Sequence, residues 1–309
     1  MRVIPRLVAG MKHAFGLHRP GRRLPVRPDD ILLASYPQSG NTWLRFLIAN
    51  LLHPDREVSF GDLHQLILDP DVTVKRDFDR AQRPRIITSE GSFDPRYRRI
   101  IYLVRDPRDV VLSQYHNLRQ LGRIEDQFRL EAFLERFLTG ELNRHLGSWG
   151  ENAGSWLATR SHHPGFLLLR YEDLVSGTAR ELTRVAEFVG LQSTPERIAH
   201  ATERSSAQLR EGEKKRGQSA MPFLPSANSG SWRNDLREPQ IARIETAWGD
   251  IMVCLGYELV TRDPGSAIKS SLIGLLVGAA GGKDERREEV FAGDSSAAPG
   301  SLPKWTVIR

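Results

Sequence analysis

The chain has 309 residues, 39% of them hydrophobic, which is enough to bury one full α/β core with tails to spare. Its single cysteine, Cys254, excludes an intramolecular disulfide framework and fits a reducing, cytoplasmic compartment. The net charge of +6 suits an anionic small ligand, and because basic and acidic residues are interspersed beyond the N-terminus, nucleic acid is not expected as a partner.

Residues 1–28 carry Arg2, Arg6, Lys12, Arg19, Arg22, Arg23 and Arg27, with no acid before Asp29. No apolar stretch there is long enough for a signal core or a membrane span. Two readings stay open: a solvated extension, or weak peripheral membrane contact through a basic amphipathic helix from Val3 to Leu17.

From Ile31 the pattern alternates between strand and helix. Ile31–Tyr36 is a short apolar run ending in Pro37-Gln38-Ser39-Gly40. Asn41 then opens a helix with Trp43, Leu44, Leu47, Ile48 and Leu51 at helical spacing. Arg85–Thr88 and Ile100–Val104 read as further strands. Pro107 starts a helix carrying Val110, Val111, Gln114 and Leu118 on one side.

Residues 126–160 read as helical throughout, and Phe166–Arg170 as a buried strand followed by a helix over Ala179–Val189 closed by Gly190. Residues 205–231 lose periodicity and read as a mobile loop, and Pro239–Leu255 is the last expected helix. Beyond Arg262 the chain is rich in Gly, Ala and Ser, with one apolar patch at Leu272–Ala280 too brief to span a bilayer. The alternation predicts a mostly parallel sheet with helices on both faces. The expected division is a basic extension over 1–28, a domain over 29–261 and a disordered tail over 262–309.

The strongest local signal is Tyr36–Trp43, YPQSGNTW, a small-residue turn from a buried strand into a helix N-terminus. Helix N-termini carry unsatisfied N–H groups and a dipole that favours anions. Gly40 lets the backbone approach a ligand, and the Ser39 and Thr42 hydroxyls can donate to it. An ordinary capped helix is the competing reading of this turn alone. A second segment, Ile101–Ser113, IYLVRDPRDVVLS, puts Arg105 at a strand's carboxyl end and Ser113 two turns into the next helix. In open α/β sheets ligands bind outside such strand ends, so both turns can grip one ligand with two separated anionic groups.

Together these segments resemble the 5′-phosphosulfate loop and the 3′-phosphate motif of the sulfotransferase family. Leu169–Leu174, LRYEDL, is similar to that family's strand-end segment, and Gly230–Asn234, GSWRN, to its late glycine-tryptophan motif. The likeness runs from about Ile31 to Tyr257. It implies a P-loop-like α/β three-layer sandwich, a mostly parallel sheet flanked by helices. It also implies transfer of a sulfuryl group from 3′-phosphoadenosine-5′-phosphosulfate (PAPS) to a hydroxyl or amine acceptor, with no metal. By position, Ser39, Gly40, Asn41, Thr42 and Trp43 would surround the phosphosulfate, with Trp43 toward the adenine. Arg105 and Ser113 would hold the 3′-phosphate, and Tyr171 would touch the adenine. Trp232 is the weaker candidate contact.

Three departures from the family pattern touch the chemistry. Gln38 stands where the family carries lysine, so the charge that would meet the leaving phosphate is replaced by a neutral amide. On the oxyanion-hole scale that loss is roughly 2 to 4 kcal/mol. The family's basic histidine is matched by Glu90 within Thr88–Pro95, TSEGSFDP, and a carboxylate can serve as base if burial raises its pKa. The family's basic triplet before Gly230 is Pro225-Ser226-Ala227, for which the run Lys214–Gly217 is a candidate substitute. Glu90 and Gln38 are therefore the expected catalytic residues.

A binding-only protein with an impaired reaction centre is the main alternative. A P-loop kinase or NTPase is disfavoured because no Gly-Lys-Ser/Thr is present. The acceptor, whether a small molecule, a glycan or a lipid, is not encoded in any readable motif.

Overall fold

The computed structural model describes residues 25–216 and 229–261. Most of the basic extension, the tail beyond 261, the Pro225–Ala227 segment and the patch at 272–280 lie outside the described residues.

The short apolar runs form four parallel strands: β1 (Ile31–Ser35), β2 (Ile86–Ser89), β3 (Arg99–Val104) and β4 (Phe166–Arg170), in the order β2-β1-β3-β4. Ile31 pairs with Ile86 on one side and Arg99 on the other, and Val104 reaches Arg170. Successive side chains point to opposite faces, so each strand supplies two cores. Leu32, Ala34, Ile100, Tyr102 and Val104 join one apolar cluster, while Ile31, Leu33, Ile101 and Leu103 join the other.

The first face is covered by α4 (Pro107–Gln120), α5 (Leu130–Leu138), α6 (Trp149–Arg160) and α11 (Glu238–Cys254). The second is covered by α1 (Asn41–Leu52), α8 (Thr178–Val189) and α9 (Pro195–Arg216). Short helices α2 (Phe60–Leu66), α3 (Lys75–Arg80), α7 (Tyr171–Ser176) and α10 (Trp232–Asp235) complete the described order. This is the α/β sandwich expected from the alternation.

Two expectations need correction. Residues 126–160 are not one helical stretch: Gly140 and Gly147 adopt positive φ of +75° and +78°, bracketing a 3₁₀ turn at Glu141–Asn143. A new helix then starts at Ser148, whose hydroxyl accepts from the Glu151 N–H while Glu151 accepts from Ser148 N–H, a capping box. Residues 205–216 are helix, not loop. Ile198, Ala201, Ser205 and Leu209 form a buried stripe at helical spacing that a serine disguises in the sequence. Asn50 of α1 donates to Ser205 Oγ at 2.9 Å and to Gln208 Oε1 at 2.7 Å, which explains why α1 is buried on its polar side too.

Candidate active site

The chain order reverses between β1 and β3, which makes their carboxyl ends the topological switch point of the sheet, where such sheets hold ligands in a crevice. The 36–40 loop leaves β1 into that crevice. Tyr36 is buried, Gln38 has φ of +66° and Gly40 φ of +94°. A glutamine in the left-handed region is uncommon and costs conformational energy, a feature that clusters at ligand-binding loops. A Cβ at Gly40 would lie 2.5 Å from Tyr171 Cδ2, so only glycine lets the ring close over the loop.

No side chain caps the N-terminus of α1, so the N–H groups of its first turn are left for an anion. Ser39 is 0% exposed and its Oγ has no hydrogen-bond partner among the described residues; buried Trp43 Nε1 has none either. Buried donors without partners are costly unless a ligand completes them, so this cradle fits a phosphate-bearing group. The Asn41 side chain is engaged elsewhere. Its amide donates to Ser35 Oγ at 2.9 Å and accepts from Thr88 Oγ1 at 3.2 Å, tying the ends of β1 and β2 and leaving its backbone N–H for the loop. Thr42 is half-buried beside it.

Arg105, at the end of β3, donates from Nη1 to the Gln38 carbonyl at 3.1 Å, and Ser113 Oγ donates to Gln38 Oε1 at 3.1 Å. The two residues expected at one phosphate thus converge on the loop expected at the other. The Arg105 guanidinium lies 4.5 Å from the centre of the Tyr171 ring, which in turn meets Trp43 edge-on at 6.1 Å. Tyr171 therefore links the two turns. The Gln38 NH₂ is left to donate a further bond while its amide oxygen accepts from Ser113.

The rest of the RDPRD run is structural, which charge alone did not reveal. Buried Arg108 pairs with Asp106 at 2.7 Å and Glu245 at 2.8 Å and lies 3.7 Å from the Trp232 ring centre. Asp109 accepts the Gly230 N–H at 2.7 Å and the Trp232 N–H at 3.1 Å, so the late GSW segment is held against α4. Trp232 is buried between Arg108 and Arg233, a packing position. The backbone of 214–216 forms the last turn of α9, and Gly217 lies outside the described residues.

Ala34 pairs with Ser89, so Glu90 emerges one strand over from the loop, level with Ser35. Its backbone is fixed: Asn152 Nδ2 donates to the Glu90 carbonyl at 3.1 Å, and Trp156 Nε1 donates to that of Gly91 at 3.2 Å. The Glu90 side chain keeps exposed surface while protein surrounds it at longer range. That enclosure withdraws it from bulk water and pushes its carboxyl up to about 7; Asp69 and Asp71 add to the rise and Arg45 opposes it. Sequence reasoning missed these three neighbours, because their approach depends on how residues 53–73 fold back on the sheet. Among the described residues no group of three or more His, Cys, Asp or Glu is arranged to hold a metal ion.

The chain is similar in sequence and in fold to known proteins. The chain is 28% identical over 234 residues to bovine sulfotransferase 1E1, spanning 68% of this chain and 78% of that one. It is 26% identical over 259 residues to human sulfotransferase 2A1, with 76% and 88% covered. Its fold superimposes on mouse sulfotransferase SULT7A1 complexed with PAP at a TM-score of 0.58 and 23% identity, covering 73% and 84% of the two chains. It also superimposes on retinol dehydratase in complex with androsterone and PAP at a TM-score of 0.60 and 20% identity, covering 84% and 88%. The profile of the sulfotransferase domain matches residues 28–255, nearly the whole described fold, and the chain belongs to the sulfotransferase family.

Proposed function

We propose that this sulfotransferase uses Glu90 as the general base of an in-line sulfuryl transfer from PAPS, with the 36–43 loop, Arg105, Ser113 and Tyr171 holding the nucleotide. The observation that carries the assignment is the position of Glu90 at the carboxyl end of β2, one strand over from the phosphate loop, where desolvation pushes its carboxyl up to about 7. A base poised near the working pH is half-ionised and still basic enough to take an acceptor proton.

In the step, the acceptor oxygen or nitrogen forms a bond to sulfur as the bond from sulfur to the 5′-phosphate oxygen breaks. The proton passes to Glu90 and adenosine 3′,5′-bisphosphate leaves. Ser39 Oγ, the α1 N-terminus and the Gln38 NH₂ meet the developing charge, and Arg105 with Ser113 anchors the 3′-phosphate.

The acceptor is a small molecule carrying a hydroxyl or amine. This reading is supported by the naming of a guinea-pig relative as a 3-alpha-hydroxysteroid sulfotransferase and by the androsterone and retinol complexes of retinol dehydratase. The catalytic unit is residues 29–261, flanked by the basic extension and the tail. A cytoplasmic location fits the free, half-buried Cys254, and no described helix is long and apolar enough to cross a membrane. The test is Glu90→Gln, which keeps shape and removes the base. Turnover should fall about 10² to 10⁴-fold with nucleotide affinity preserved, and undiminished turnover would reject Glu90 as the base.

A further inference from the structure

Beside the reaction centre lies a charged cluster that the transfer scheme leaves unused. Arg45 belongs to α1, the helix that opens at the phosphate loop, and is only 7% exposed. Its Nη2 lies 3.1 Å from His64 Nδ1 and donates to the Ile67 carbonyl at 3.3 Å, and its Nη1 lies 3.8 Å from Asp69 Oδ2. Because a guanidinium only donates, the His64 contact requires an unprotonated Nδ1. His64 Nδ1 is in turn 3.5 Å from Asp69.

The backbone explains why this cluster reaches Glu90. Leu68 bridges to Ile87 in parallel register, with Leu68 N–H donating to Ile86 O and Thr88 N–H to Leu68 O, both at 2.8 Å. Carried forward, that register brings Asp69 alongside the end of β2 from which Glu90 emerges. There the chain turns: the Asp69 carbonyl accepts from Val72 and Thr73 N–H groups, and Asp69 Oδ1 accepts from Asp71 N–H at 3.0 Å. The turn thereby sets Asp69 and Asp71 near enough to Glu90 for both to act on its charge.

We propose that Arg45 is a positioning residue that pins the Asp69–Thr73 turn against β2, and that Arg45, Asp69 and Asp71 together set the pH at which Glu90 changes charge. Burial works against the Asp69 charge, but Arg45 and the Asp71 N–H favour it and its carboxyl is held below the usual range, so Asp69 is ionised whenever Glu90 titrates. Tyr36, facing Glu90 from the end of β1, is pushed up to about 12 by burial and contributes no charge; Glu151 of α6 acts on Tyr36 in the same raising sense. The charges that matter are therefore two acids that raise the Glu90 pKa and one arginine that lowers it.

This inference rests on Glu90 being the base for its functional meaning, yet its test needs no acceptor. In full-length protein labelled with carbon-13 at the glutamate carboxyl, the Glu90 signal is identified by its loss in Glu90→Gln and followed through a pH titration. The wild-type midpoint should lie at about 7. Asp71→Asn should lower it and Arg45→Gln should raise it, each by on the order of half a pH unit, while Arg45→Lys, which keeps the charge, should leave it nearer wild type than Arg45→Gln does. If Arg45→Gln does not fold, Asp71→Asn at the half-buried turn decides alone. An unmoved midpoint in Asp71→Asn, or shifts of the same sign in Asp71→Asn and Arg45→Gln, would overturn the cluster's role. Failure of the base assignment shows separately, as undiminished turnover in Glu90→Gln.

Discussion

In the proposed transfer, Gln38 places a neutral amide where negative charge develops on the leaving phosphate. The side chain is also held by Ser113, so Gln38→Lys should raise turnover by adding charge at the transition state, while nucleotide affinity changes modestly. Steady-state kinetics with labelled donor checks it; a fall in turnover would mean that the amide is the better partner for Ser113. Gly40 is bounded twice, by φ of +94° and by the Tyr171 ring 2.5 Å from any Cβ. Gly40→Ala should therefore cost about 1 to 3 kcal/mol of stability and weaken nucleotide binding, read by thermal melts with and without adenosine 3′,5′-bisphosphate. For Glu90 the sign is fixed by its raised pKa: the base works deprotonated, so kcat/KM should climb as pH rises through about 7. The placement of YPQSGNTW at a strand-to-helix turn, of Arg105 at a strand end and of Ser113 on the next helix was legible because those signals are local. Arg45, Asp69 and Asp71 were not, since nothing in residues 53–73 announces that this stretch lies along β2.

At the scale of elements, the RDPRD run shows how one motif divides its work. Arg105 faces the loop, whereas Arg108 is buried with Asp106 and Glu245, and Glu245 also accepts the Val260 N–H at 3.0 Å and the Thr261 N–H at 2.8 Å. Arg108→Ala leaves two buried carboxylates uncompensated and should cost about 3 to 5 kcal/mol, measured by denaturant unfolding. Arg105→Ala should leave stability much nearer wild type but weaken nucleotide binding markedly. Equal destabilisation by the two variants would erase this division. The sequence could not separate these arginines, because burial depends on α11, which enters more than a hundred residues later. Helix α9 was hidden for a related reason: its buried stripe includes Ser205, whose hydroxyl is satisfied by the Ala201 carbonyl and by Asn50 across the interface.

Across the whole molecule, the strand order β2-β1-β3-β4 does the positioning. It sets the phosphate loop after β1 between Arg105 at the end of β3 and Glu90 at the end of β2, so three strand ends meet at one crevice. The alternation of strands and helices revealed the parallel sheet, and the apolar runs revealed its strands. The surroundings of Glu90 emerged only from the packing of α1, α6 and the 68–73 segment near it. A ligand spanning the crevice should stabilise the entire fold by mass action, about 2.7 kcal/mol at a hundredfold excess over Kd, seen as a rise in Tm with adenosine 3′,5′-bisphosphate. The most direct measurement of the account is sulfuryl transfer from labelled PAPS across an acceptor panel by the wild type and Glu90→Gln, with nucleotide affinity measured in parallel. The wild type should transfer the sulfuryl group and Glu90→Gln should lose about 10² to 10⁴-fold at unchanged affinity; equal turnover by the two proteins, or nucleotide binding without transfer by the wild type to any acceptor, would overturn the assignment of Glu90 as the base of a sulfuryl transfer.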